Sequence, residues 1–147
     1  SLWDVFVRAS THANCEKKAI PLFTGIASGE DNDSIKDLAL LQVARLYCRM
    51  NEMRRAKKAL KPLKKRGFSS CVYYDILAEV NQEEGQYDAA KKALTKGFAL
   101  AKTPQEHMVF AAKLRVLNQE FLDDAKEARR WFKEESKYDL DEVDSLY

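Results

Sequence analysis

The chain has 147 residues, 46% of them apolar and 33% charged, with a formal net charge of +2. That length predicts one domain, able to bury about 68–70% of its unfolded surface without a disulfide or metal staple. The apolar share is too high for a disordered chain, the longest nearly apolar run, Leu38 to Leu41, falls far short of the ~20 residues that span a membrane, and so small a net charge disfavours a dedicated nucleic-acid binder.

Five Gly and three Pro are too few to turn the short strands of an all-β fold. Apolar residues instead recur at three and four, the period of amphipathic helices. The first two helices are expected over 2–11 and 15–27. The polar stretch from Gly29 to Ser34 breaks the pattern, and Ser34 is the expected N-cap of a helix over 35–49 striped by Leu40, Val43, Ala44 and Tyr47. Met50-Asn51-Glu52 separates it from 53–66, whose stripe is Ala56, Leu60 and Leu63. Gly67-Phe68-Ser69-Ser70 ends that helix and caps 71–83, marked by Tyr74, Leu77 and Ala78. Glu84-Gly85-Gln86 turns tightly into 87–101, striped by Ala90, Leu94 and Phe98. Thr103 at N-cap with Pro104 at N1 starts a helix over 105–118. A last helix is expected over 121–137, before an acidic tail. The fold class is therefore all-α.

Chemistry-bearing constellations are sparse. Cys15, Cys48 and Cys71 are widely spaced and odd in number, which predicts a reducing, intracellular compartment, cytoplasm or nucleus. The chain opens on Ser with no basic and apolar leader after it, the mark of a piece of a longer protein. His12 precedes Cys15 by three, but a Cys–His nucleophile needs an orienting third group and none is identifiable. His107, at the start of a helix, is expected to be solvated. Neither a phosphate-cradling glycine loop, HExxH nor GxSxG occurs, and the four ligands of a zinc site are missing. No enzymatic activity, catalytic residue, cofactor or metal is expected.

Self-similarity is the stronger signal. Leu40, Val43, Ala44, Tyr47, Ala56, Leu60 and Leu63 shift by 34, without a gap, onto Tyr74, Leu77, Ala78, Asn81, Ala90, Leu94 and Gly97. A small residue at the eighth position and another twelve later let two antiparallel helices approach closely. This pattern resembles the tetratricopeptide repeat (TPR). Ala44 and Ala78 match its position 8, Ala56 and Ala90 its position 20, and Leu60 and Leu94 its position 24. A further step lands on Ala112 and Ala128, with position 20 at Asp124, or Ala125 if the repeat slips by one. Earlier in the chain Ala19, Phe23 and Ile26 are similar to positions 20, 24 and 27. The resemblance covers nearly the whole chain. It implies three to four stacked antiparallel hairpins with a C-terminal capping helix, one domain over 1–147, and a protein-interaction scaffold.

A narrower pattern runs from Ala78 through Gly85-Gln86-Tyr87, Ala90, Leu94, Lys96-Gly97 and Pro104, with Leu41-Gln42-Val43 and Lys91-Lys92 in matching places. It resembles the last repeat of the N-terminal TPR domains of mitotic spindle-checkpoint kinases. That implies kinetochore targeting, with any kinase domain outside this chain, since no kinase glycine loop or HRD-type motif is present.

The TPR resemblance also implies which residues face a partner, through positions 2, 5, 9, 12 and 13 of each first helix. On this chain they are Leu38, Leu41, Arg45, Cys48 and Arg49, then Val72, Asp75, Glu79, Gln82 and Glu83, then Glu106, Val109, Lys113, Val116 and Leu117. Chaperone-tail TPRs use cations here to clamp a carboxylate. With Asp75, Glu79 and Glu83 at the centre, the expected ligand is instead a peptide or helix bearing Lys or Arg. Val72, Val109 and Leu117 are its expected apolar anchors, and Arg45 and Lys113 the neighbouring counter-charges. A second surface is read from charge alone. Arg54, Arg55, Lys57, Lys58, Lys61, Lys64, Lys65 and Arg66 crowd one helix with no acid among them, an expected patch for an acidic surface or nucleic acid. The acidic tail is expected to cap the last hairpin; as an alternative, its acids would dock on another copy's basic helix and make a homodimer.

Overall fold

The computed structural model describes residues 16–29 and 32–146, with side chains through Tyr138. The helix expected over 2–11, together with His12 and Cys15, lies outside the described residues. So do the side chains of Leu140, Val143 and Leu146. The described residues form seven helices and no strand: α1 (Glu16–Gly29), α2 (Asp33–Arg49), α3 (Met53–Lys65), α4 (Cys71–Glu83), α5 (Tyr87–Leu100), α6 (Pro104–Glu120) and α7 (Ala125–Leu146). They divide into two compact units, Ser1–Phe68 and Ser69–Tyr147.

In the first unit α1 packs on α2 and α2 on α3. Ala19, Ile20 and Phe23 of α1 meet Val43 and Leu46 of α2 in one buried cluster, which Ala59 of α3 edges. The N-cap of α2 is Asn32, not Ser34: its Oδ1 accepts from Ser34 N at 2.9 Å and Ile35 N at 3.3 Å. Asn caps as well as Ser does, and standing earlier it lets the helix begin at Asp33.

In the second unit each helix packs on the next, α4 on α5, α5 on α6 and α6 on α7. The core joins Ala78 of α4, Ala90, Ala93 and Leu94 of α5, the α6 residues Phe110, Ala111, Leu114 and Leu117, and Trp131 of α7. Burying these side chains supplies the main drive to pack, at about 25 cal/mol per Å² of apolar surface. The expected start of α6 holds, with Thr103 Oγ1 accepting from Glu106 N at 3.1 Å and Pro104 in the first turn.

The three corners that reverse the chain share one device. Asn51, Gly85 and Asp123 each adopt positive φ (58°, 77° and 50°), two residues before α3, α5 and α7. At the first two corners the hydrogen bonds also repeat at 34: Glu52 N to Tyr47 O, and Gln86 N to Asn81 O. Only Gly85 announces itself in sequence, because Asn and Asp tolerate the left-handed region without advertising it. The third corner stands 38 residues after the second, since α6 runs 17 residues where α4 runs 13. This corrects the expected start of the last helix at 121. The helix begins at Ala125, with Asp124 Oδ1 accepting from Glu127 N at 3.1 Å as its cap. Ala128, not Asp124 or Ala125, is then the buried fourth residue of its helix, as Ala56 and Ala90 are of theirs.

Candidate functional site

Helices α4 and α6 of the second unit are tied at two levels. Near their N-termini Cys71 Sγ donates to Glu106 Oε2 at 2.9 Å. One turn further on, Lys113 Nζ pairs with Asp75 Oδ1. Both ties advance toward the C-terminus on each helix, so α4 and α6 run in the same direction, with α5 returning between them.

Between them lies a cleft of about 430 Å³. Asp75, Glu79, Gln82 and Glu83 come from α4, Lys113 and Val116 from α6, and the small side chains Ala78 and Ala112 with Leu94 of α5 form its floor. Asp75, Glu79 and Glu83 follow one another at i, i+4 and i+8, so they share one face of α4. A second hollow of about 320 Å³ shares Asp75 and continues toward the helix N-termini, lined by Val72, Val109 and Phe110 beside Cys71 and Glu106. Val72, Val109 and Val116 are 43%, 43% and 40% exposed, a large solvent share for aliphatic side chains. An acidic cleft thus continues into an apolar one.

Electrostatics at the Cys71–Glu106 tie run in opposite senses. The Cys71 thiol, with the Thr103 hydroxyl adding to it, holds the Glu106 carboxyl below its ordinary range. Burial, then the adjoining Glu106 carboxylate, pushes the Cys71 thiol up. Cys71 is therefore a protonated donor, not a poised nucleophile.

Of the residues expected to face a partner, Asp75, Glu79, Glu83 and Lys113 meet in the cleft, and Val72 and Val109 in the adjoining hollow. Leu117 does not: it has no exposed surface and belongs to the core of the second unit, because α6 turns that face toward α5 and α7. Leu41 and Cys48 are likewise buried. Arg45 and Arg49 stand on α2, in the first unit. Ala112 and Leu94 form the cleft floor without having been predicted to, because nothing in a small or aliphatic residue distinguishes floor from core before the helices are placed.

His107 is also corrected. It is partly exposed, not fully solvated: its ring stacks on Tyr138 at 4.7 Å between centroids, takes Phe98 edge-on at 5.0 Å, and its Nδ1 lies 2.9 Å from Thr103 O. Two aromatic rings brought from α5 and α7 cover it, which no local pattern foretells.

Arg54, Arg55, Lys57, Lys58, Lys61, Lys64 and Lys65 are all exposed on α3, whose other face buries Ala56, Leu60 and Leu63. Arg55 reaches Glu52 at 3.1 Å, and Arg66 pairs with Asp37. Among the described residues no group of three or more His, Cys, Asp or Glu side chains is placed to hold a metal ion, and no helix is long and apolar enough to cross a membrane.

Comparison of the chain with protein-family models, with curated proteins and with solved structures returned no match.

Proposed function

We propose that the chain is a protein-interaction scaffold of TPR type that holds a partner peptide or helix in the cleft between α4 and α6. The observation that carries this reading is the cleft itself: three carboxylates on one helix face, with Lys113 across from them, opening into a hollow edged by exposed valines. The equivalent corners 34 residues apart and the parallel pair α4 and α6 support the TPR reading. The partner presents Lys or Arg toward Glu79 and Glu83 and an aliphatic side chain toward Val72 and Val109. Apolar contact supplies affinity, while charge selects the partner and speeds encounter. On the narrower resemblance at Ala78–Pro104, the setting is kinetochore targeting within a mitotic checkpoint kinase.

Selection of random peptides on the immobilised chain tests the cleft. Enriched peptides should carry a basic residue three or four positions from an aliphatic one. The double variant Glu79→Lys/Glu83→Lys leaves the Asp75–Lys113 pair in place and should lose them by tenfold or more, with helicity unchanged. Enrichment of acidic peptides, or binding indifferent to the double variant, would reject this reading.

A further inference from the structure

The small net charge conceals a segregation. The first unit holds fourteen Lys and Arg against seven Asp and Glu, a balance of +7; the second holds eleven against sixteen, a balance of −5. The surplus concentrates on α3. Arg54, Lys58, Lys61 and Lys65 fall at i, i+4, i+7 and i+11, one row along the helix. At 1.5 Å per residue the row is roughly 16 Å long. Lys57 and Lys64 flank it on one side and Arg55 on the other, so cations cover about half of the helix circumference. Packing does not require this. The buried face of α3 is complete with Ala56, Leu60 and Leu63, and a mixed-charge outer face would keep the helix soluble without self-repulsion. Arg54 and Arg55 even stand in the first turn, where the helix dipole disfavours cations.

What such a ridge fits follows from what it lacks. No large apolar side chain of α3 is exposed, so a protein partner would find no anchor, and lysine is depleted at the centres of protein interfaces. An anionic bilayer is a plane that only the central row would meet, and the apolar face that an interfacial helix inserts is here buried in the core. No aromatic side chain lies on α3 for single-strand bases to stack on. A half-cylinder of cations matches instead a trough with anions on both walls. The major groove of B-form DNA is about 12 Å wide and admits an α-helix, and phosphate contacts alone give sequence-independent affinity.

We propose that α3 is a sequence-independent binding surface for double-stranded DNA, lying in the major groove with Lys57 and Lys64 on one phosphate wall and Arg55 on the other. The small chain-wide net charge does not oppose this, because no acid interrupts the cations within α3.

The test is fluorescence anisotropy of the full chain with a labelled 20-base-pair DNA duplex of arbitrary sequence, titrated between about 25 and 200 mM salt. Binding at the lowest salt should weaken with a log–log slope of roughly −4 to −6, as four to six phosphate contacts require. Lys57→Glu/Lys61→Glu/Lys64→Glu, which reverses the two wall-facing lysines and the one between them, should flatten that slope by about two and weaken binding at least tenfold at 50 mM salt. The control Lys92→Glu/Lys126→Glu/Lys133→Glu changes net charge equally in the second unit and should leave the slope in place. Circular dichroism verifies the fold, and Lys→Gln at the same three α3 positions replaces the reversal if it melts the helix, with the same direction expected. Duplex RNA, whose major groove is too deep and narrow for a helix, should bind more weakly than duplex DNA. Absence of binding at the lowest salt overturns the proposal. So does a slope that the α3 variant leaves unchanged, equal loss in the control, equal affinity for single strands or duplex RNA, or preferential binding to vesicles containing 30% phosphatidylserine or to polyglutamate.

Discussion

Glu106 shows how much one side chain can be asked to do. It sits in the first turn of α6 and receives the Thr103 hydroxyl at 3.2 Å and the Cys71 thiol at 2.9 Å. The thiol is the larger influence on its carboxyl, which is held below the ordinary range. A carboxyl whose folded pKa is depressed adds stability that is fully present above the unfolded value of about 4.3 and is lost as pH falls through the folded value. Glu106→Gln cannot titrate, so its melting temperature should fall less steeply below pH 4.3 than that of the unaltered chain. The same substitution removes the anion that, after burial, pushes the Cys71 thiol up. Labelling of Cys71 by a thiol reagent at pH 8, followed by mass spectrometry, should therefore speed up. An unchanged acid limb together with unchanged labelling would mean that the contact carries no energy. Thr103 and Pro104 marked this helix start in sequence; the thiol from α4 did not, because it comes from 35 residues away.

At the scale of elements, Gly97 decides how closely α5 can approach α6. A Cβ built there would stand 2.3 Å from Phe110 Cε1, and Phe110 is itself buried. The ring must shift to admit the methyl group, and overpacking of this kind costs ~1–3 kcal/mol against the ~1 kcal/mol that alanine gains over glycine inside a helix. Gly97→Ala should lower stability by up to about 2 kcal/mol in urea unfolding. Phe110→Leu should cost less in that background than alone, since residues in contact couple. Equal costs in both backgrounds would contradict the close approach. Helix α3 presents the opposite case, in which charge works against the element. Arg54 with Lys58, Lys57 with Lys61, and Lys61 with Lys65 are like-charge pairs one turn apart, each unfavourable by about 0.2–0.5 kcal/mol. Its buried face and its strong helix formers, Ala, Leu, Arg and Lys, offset that repulsion.

The whole molecule consists of two units, each with its own buried cluster. Cores that share no residues allow local opening to differ between them. Leu46 is fully buried in the first cluster, and Leu46→Ala should cost about 2–5 kcal/mol there. Native-state hydrogen exchange should then show amides of α1–α3 losing protection while those of α4–α6 keep theirs. Uniform loss across all helices would show that the units open as one. The division also changes how charge is read. A chain-wide balance of +2 argued against nucleic acid, but potentials act over about a Debye length, ~8 Å at physiological salt. Balances of +7 and −5 in the two units show that the chain-wide figure averages two unlike surfaces.

Helix content, most helix boundaries, the Thr103 cap, the basic face of α3 and the carboxylate row on α4 were legible in the sequence by itself. Each depends on period, capping chemistry or charge within a few residues of the chain, and local geometry settles such features. The placement of Leu117 in the core, the late start of α7 behind a longer α6, the covering of His107 by rings from two other helices and the Cys71–Glu106 tie were decided only in the tertiary structure. They arise where side chains from different helices compete for the same volume, and that competition is resolved by packing, which one-dimensional spacing does not record.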